Sequence, residues 1–140
     1  MSGMDEIEVF DLFRHDDARG YLLKAVKKEY TDDRPFGEIY FVSASPGTVR
    51  ANHFHVVTTE WFVVVKGQGV LTLADVNDLS NRREVEMNGR VCVKIPKNVA
   101  HAIRAVGDED MLMMALADKP YDPNDTDTYP CEIDSSIMEE

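Results

Sequence analysis

Cysteine, positive charge and long apolar runs are all scarce in this 140-residue chain, and each scarcity removes a class of protein. The two cysteines, Cys92 and Cys131, lie far apart, with no spacing that suggests a zinc knuckle or a redox pair. A disulfide scaffold is therefore excluded and a reducing compartment follows. Cys92 stands in an apolar run and reads as a small packed side chain. Lysine and arginine number 15 against 26 aspartates and glutamates, a net charge of −11. Non-specific binding to nucleic acid or to an anionic membrane needs a basic face, so neither is expected as a partner. A small anionic ligand needs only a local cluster, for which Arg19, Lys24, Arg50, Lys66 and Arg104 are candidates. No stretch approaches the roughly 20 apolar residues of a membrane span, and Met1 to Glu8 is acidic where a secretory signal would be basic and then apolar. A cytoplasmic protein is the expectation.

Helical periodicity is equally scarce. The interior is a series of short runs rich in β-branched and aromatic residues: 21–26, 38–43, 60–65, 69–74, 90–95, 101–106 and 111–117. Gly20, Pro46-Gly47, Gly67, Asn77-Asp78, Asn88-Gly89, Pro96 and Gly107-Asp108 separate them as turn residues do. Seven closely spaced strands predict an all-β sandwich or barrel of one domain. That domain is expected to run to about residue 133, followed by an acidic, disordered tail over 134–140. In the run from Glu60 to Val65 both faces are apolar after the first residue, so one face lines the core. The other, with Trp61, Val63 and Val65, is expected to pack against a second sheet or a second subunit, and a homodimer is predicted from it. Arg90 to Ile95 alternates, with Val91, Val93 and Ile95 inward and Arg90 and Lys94 outward, as in a half-exposed strand.

Four histidines are present, and three belong to one pattern. Gly47, five residues, His53-Phe54-His55, four residues, Glu60, six residues, Gly67 is its first stretch, and His101, shortly after Pro96, completes it. His53 and His55 are two apart, so on a strand they share a face. Glu60 opens the next strand and can reach the same point. Three neutral imidazoles and a carboxylate suit a divalent transition metal, most readily zinc, with iron, manganese and nickel as alternatives.

The run from Gly47 to Gly67 matches the first cupin motif in full. The segment from Gly89 to Ala105 resembles the second, with Pro96 and His101 in place, Asn98 where Gly is usual and Ala105 where Asn is usual. The resemblance implies a jelly-roll-like cupin β-barrel. Three further segments resemble nucleotide-sugar epimerases and ketoisomerases. They are Asp16 to Leu22 with its Asp-x-Arg-Gly, Arg50 to His55, where Ala51 replaces a usual Gly, and Asp122 to Tyr129. The last is similar to the ending of the zinc cupin domain of bifunctional enzymes that epimerise and then reduce a UDP-linked 4-keto-6-deoxy-N-acetylhexosamine.

That resemblance implies an isomerase acting on a nucleotide-diphosphate sugar in surface polysaccharide biosynthesis, epimerising next to the ketone, at C3. No nicotinamide cofactor is expected, and a separate reductase is a possible partner. Removing a proton beside a ketone requires a base and stabilisation of the enolate oxygen. His53 matches the general base of the metal-free deoxysugar 3,5-epimerases, but one imidazole cannot be free base and metal ligand together. Tyr40 matches a tyrosine near the active site of the 3,4-ketoisomerases and is the other catalytic candidate. Arg50, and secondarily Lys66, are candidates for the substrate diphosphate, since guanidinium binds phosphate oxygens in pairs. Met113-Met114 stands where a double epimerase has an acid tyrosine, which favours a single epimerisation or a ketone shift. An iron-dependent cupin oxygenase and a non-catalytic sugar- or metal-binding cupin are the remaining readings.

Overall fold

The computed structural model describes residues 3–135, which form an all-β cupin sandwich. The strands are β1 (Glu8–Asp11), β2 (Phe13–Asp17), β3 (Gly20–Lys24), β4 (Glu38–Ala44), β5 (Val49–Phe54) and β6 (Glu60–Lys66). They continue with β7 (Gln68–Asp75), β8 (Asp78–Met87), β9 (Val91–Ile95), β10 (Val99–Val106), β11 (Met111–Ala117) and β12 (Tyr129–Pro130). One five-stranded antiparallel sheet runs in the order β1-β9-β6-β11-β4, and the second in the order β12-β5-β10-β7-β8. β2 and β3 make a separate hairpin. Its Tyr21 hydroxyl donates to the Val65 carbonyl at the end of β6.

The core lies between the sheets, where Phe62, Val64, Leu71, Leu73, Ile95 and Ile103 are buried. The expected strands are all present, and the structure adds β1, β2, β5, β8 and β12. The polar strand β8 is exposed over almost its whole length because it closes one edge of the second sheet. With no buried face, it carries no apolar alternation to read.

Two expectations meet a different arrangement. The outer face of β6, from which the sequence predicts a homodimer, is covered by the chain itself and so gives no argument for a second subunit. Trp61 and Val63 are buried in a cluster with Tyr30 and Cys92, flanked by Phe10, Leu12, Leu23 and Val26. The indole Nε1 donates to the Tyr30 carbonyl at 2.9 Å, and Phe10 stacks on Tyr30. The same layer covers β9, so that strand is not half exposed. Lys94 is buried, its ammonium paired with Glu8 at 3.4 Å and Asp32 at 3.2 Å, as a charge removed from water must be. Cys92 is fully buried, as expected, and burial pushes its thiol up to about 12.

The end of the chain also differs from expectation. Asp134, assigned from sequence to a disordered tail, is held by the fold. Its amide and that of Ile133 donate to the Asn52 carboxamide oxygen, while the Asn52 side-chain nitrogen donates back to the Asp134 carbonyl at 3.0 Å. The expected disorder of residues 136–140 lies outside the described residues. No helix among the described residues is long and apolar enough to cross a membrane.

Candidate metal centre and cavity

His53 on β5 and His101 on β10 are direct partners in the antiparallel register. The next register pair is Ala102 with Ala51, which leaves Asn52 as an extra residue, a β-bulge. Ala51 (φ 75°) and Asn52 (φ 61°) both take the left-handed conformation there. One inserted residue reverses the inside–outside alternation beyond it, so the bulge decides which face His53 and His55 present. Glu60 opens β6 from the opposite sheet, on the same inward face as Phe62 and Val64. The turn that delivers His101 contains Asn98 at φ 63°, a left-handed position that Asn tolerates in place of the usual Gly. Gly67, the last residue of the first motif, has φ 74°, and a Cβ there would sit 2.5 Å from the Asp110 carbonyl.

The structure brings His53, His55, Glu60 and His101 together, with one ligand atom from each inside a 4.8 Å span. His55, Glu60 and His101 are buried and His53 is half-buried. The hydrogen bonds fix the imidazole tautomers. His101 Nδ1 lies 3.0 Å from the Val99 carbonyl and His55 Nδ1 lies 2.6 Å from the Asp127 carbonyl. A carbonyl only accepts, so each Nδ1 carries hydrogen and each Nε2 of a neutral ring turns a lone pair toward Glu60. Those Nε2 atoms stand 3.1 Å (His55) and 3.6 Å (His101) from the same carboxylate oxygen, Oε1. His101 Nε2 is a buried nitrogen with no hydrogen-bond partner among the described residues. Lone pairs converging on a carboxylate oxygen require a positive centre among them. The donor set and the orphaned nitrogen both fit a divalent transition ion.

The electrostatics agree. Burial and the neighbouring His101 and His55 push His53 down to about 4, so its imidazole is neutral near pH 7. Burial raises the Glu60 carboxyl, but the neighbouring His101 and His55 outweigh it and hold the group well below the usual carboxylate range. For His55, burial acts downward and is outweighed by Glu60, so the ring is raised. The Tyr40 hydroxyl donates to the other Glu60 oxygen, Oε2, at 2.6 Å. Burial and the Glu60 charge push the phenol far up, so it stays protonated.

A cavity of about 260 Å³ opens over this cluster. Its wall includes Glu38, Tyr40, His53, His55 and Thr58 on one side and Lys119, Tyr121, Thr126 and Thr128 from the C-terminal segment on the other. Tyr40 and His53 are shared with a second cavity of about 330 Å³, lined also by Arg50, Val42, Phe62 and Met113. Arg50 therefore lines the cavity that adjoins this one. Lys66, the second candidate for the diphosphate, lines neither. It sits at the far end of β6, six residue steps or roughly 20 Å from Glu60, where it faces Glu109 at 3.9 Å. Arg19 pairs with Asp17 at 2.6 Å in the β2–β3 hairpin and lines neither cavity. Sequence reasoning missed Glu38, Thr58 and the wall from residues 119–128. Glu38 was legible as the residue two before Tyr40 on the same strand face. The C-terminal wall has no periodicity that would reveal it.

Residues 15–129 match the polysaccharide biosynthesis C-terminal domain family. The chain belongs to that family. It is 32% identical over 130 residues to the UDP-2-acetamido-2,6-beta-L-arabino-hexul-4-ose reductase of Pseudomonas aeruginosa, covering 89% of this chain but only 32% of that protein. The chain thus spans about a third of the length of that relative. It is 27% identical to the probable low-salt glycan biosynthesis epimerase Agl13 of Haloferax volcanii, covering 91% of this chain and 86% of that one. Among solved structures, a dTDP sugar isomerase from Desulfovibrio desulfuricans superposes with a TM-score of 0.81 at 22% identity. The superposition covers 100% of this chain and 93% of the isomerase. The shared fold is the jelly-roll cupin expected from the two motifs.

Proposed function

We propose that this protein is an isomerase acting on a nucleotide-linked 4-keto-6-deoxy sugar, epimerising the carbon beside the ketone, C3, in surface polysaccharide or glycan synthesis. The observation that carries the reading is the adjacency, in one cavity, of a neutral imidazole (His53), a protonated phenol (Tyr40) and a carboxylate (Glu60) beside a cluster suited to zinc. The names of the Haloferax epimerase, the Pseudomonas reductase and the Desulfovibrio isomerase support the substrate class.

The chemistry is a proton taken from C3 and returned to the other face. Deprotonation beside a ketone leaves negative charge on the former carbonyl oxygen, and a hydrogen-bond donor kept protonated in a partly dry site stabilises it. Tyr40 is that donor in our reading: its single hydrogen, given to Glu60 Oε2 in the free protein, turns to the enolate oxygen when substrate is bound, and the Glu60 charge opposes its ionisation. His53 is either a ligand or the base. With Glu60 and His101 beside it we assign it to the ligand set, which leaves the Glu38 carboxylate on the same cavity wall to take the C3 proton, while the proton returned to the opposite face comes from solvent. His53, His55, Glu60 and His101 would hold the ion, and a zinc ion bound there supplies Lewis-acid charge. Arg50 is assigned to the diphosphate, where its planar guanidinium can pair two phosphate oxygens at the mouth of the adjoining cavity. No nicotinamide cofactor enters the step. The outer face of β6 does not call for a second subunit, because the chain fills it.

The test is to incubate the zinc-loaded protein in deuterium oxide with UDP- and dTDP-linked 4-keto-6-deoxyhexoses and follow the ring protons by NMR. Loss of the C3 proton signal is expected. Zinc-loaded protein that exchanges no ring proton on any of these sugars would overturn the epimerase reading in favour of a binding module.

A further inference from the structure

The C-terminal segment leaves and returns to the same four-residue loop, the one that spaces His55 from Glu60. At its start, the Asp118 carboxylate accepts from the Thr59 amide at 3.0 Å, and the Asp118 amide donates to the Thr59 carbonyl at 3.1 Å. At its end, the Asp127 carboxylate accepts from the amides of Val56 (2.9 Å), Val57 (3.1 Å) and Thr58 (2.8 Å) and from the Thr58 hydroxyl (2.9 Å). Asp127 adopts a left-handed backbone (φ 50°), and its own carbonyl meets His55 Nδ1 at 2.6 Å. One residue thus holds the loop by its side chain and the imidazole by its main chain. Between the two anchors lie Lys119, Tyr121 and Thr126, which wall the cavity.

We infer that Asp127 is a positioning residue for the metal centre. Its carboxylate clamps the 56–58 loop so that its carbonyl keeps His55 in the Nδ1–H tautomer, presenting Nε2 to the ion, and thereby couples ion binding to closure of the 118–127 wall. The inference rests on the metal reading given above. The loop amides and the Thr58 hydroxyl are four donors converging on one side chain, and no other group among the described residues bonds His55 Nδ1. Without the carboxylate, the Asp127 carbonyl is held only through the β12–β5 pairing that begins two residues further on, and the ring is freer to exchange tautomers. An outer hydrogen-bond partner of this kind changes metal affinity by roughly 10- to 100-fold when removed. Coupling between two binding events is reciprocal, so an ion that needs the wall closed must also hold it closed.

The experiment measures zinc affinity by competition with a chromophoric chelator for wild type, Asp127→Ala, Asp127→Asn and Thr58→Val. It adds ring-nitrogen NMR of His55 in the metal-free proteins and hydrogen exchange of wild type with and without zinc. Asp127→Ala is expected to bind zinc roughly 10- to 100-fold more weakly and to show mixed His55 tautomers. Asp127→Asn, which keeps one acceptor oxygen, and Thr58→Val, which removes one donor, should fall between. In wild type, zinc should slow exchange of the 56–58 amides and of the 118–131 segment. If Asp127→Ala folds and binds zinc as wild type does, or if zinc binds wild type without slowing those amides, the inference is overturned and the metal reading stands. The exchange arm decides the case even where Asp127→Ala fails to fold. Wild type that takes up no zinc overturns both.

Discussion

Tyr40 and Glu60 face each other from neighbouring regions of one sheet, joined by a 2.6 Å hydrogen bond to Oε2, while Oε1 of the same carboxylate looks toward His55 and His101. A single carboxylate therefore divides the site into a protonated, phenolic side and an imidazole side. Replacing Tyr40 by Phe removes only the donor. We expect Tyr40→Phe to slow exchange at the sugar carbon by on the order of 100-fold or more, the usual contribution of a positioned proton donor. Zinc content should remain near that of wild type. Elemental analysis alongside the deuterium experiment separates the two effects.

The double replacement His53→Ala with His55→Ala removes half of the four-residue cluster. It should leave a protein that no longer takes up one zinc per chain and gains no thermal stability from added zinc. Wild type at a free zinc concentration 100 times its Kd should gain about 2.7 kcal/mol, on the order of 10 °C for a domain of this size. Melting curves with and without zinc check both statements.

In the metal-free protein the acid side should be the weak side. Burial, with His101 and His55 nearby, pushes His53 from 6.5 down to about 4, so between those values the unfolded chain binds the proton that the folded chain refuses. Stability from this group is full above about 6.5 and is lost as the pH falls toward 4. Glu60 and Asp127 are also held low in the folded state and act in the same direction at still lower pH. His55, which is raised, acts oppositely: its contribution is present below its ordinary value and fades as the pH rises through the folded one. Melting temperature followed from pH 7 to pH 4 should fall in the metal-free wild type and fall less in His53→Asn.

Ala51 occupies a left-handed position, φ 75°, a conformation that Gly adopts without strain. An L-residue with a Cβ pays about 1–2 kcal/mol there, whereas Gly adds up to about 1 kcal/mol of unfolded-chain entropy. Ala51→Gly should therefore stabilise the protein by up to about 1 kcal/mol, with zinc affinity unchanged because the bulge that aims His53 is kept. Denaturant midpoints at constant slope measure it.

The metal-capable cluster was legible because its geometry is encoded locally. His53 and His55 share a strand face by their spacing, Glu60 begins the next strand, and Asn98 tolerates the turn that admits His101. The sandwich was legible from strands with a buried face. The layer formed by Phe10, Leu12 and Tyr30 over Trp61 was not, because an apolar outer face looks the same in sequence whether a partner or the chain's own first 30 residues will cover it. Nor was the role of Asp127, whose four donors lie about 70 residues away and whose segment has no period to read. Lys66 shows the opposite case: a basic residue near the motif in sequence is carried to the far end of its strand by a rise of roughly 3.3 Å per residue.

His53 and His101 belong to one sheet and Glu60 to the other, joined at a single point inside the sandwich. Neither cysteine is in a disulfide. An ion at that point would be a removable cross-link between the two halves of the molecule. Chelation would then act mechanically as reduction does on a disulfide protein. The sheets, fastened face to face while the ion is present, would be free to loosen independently once it is withdrawn.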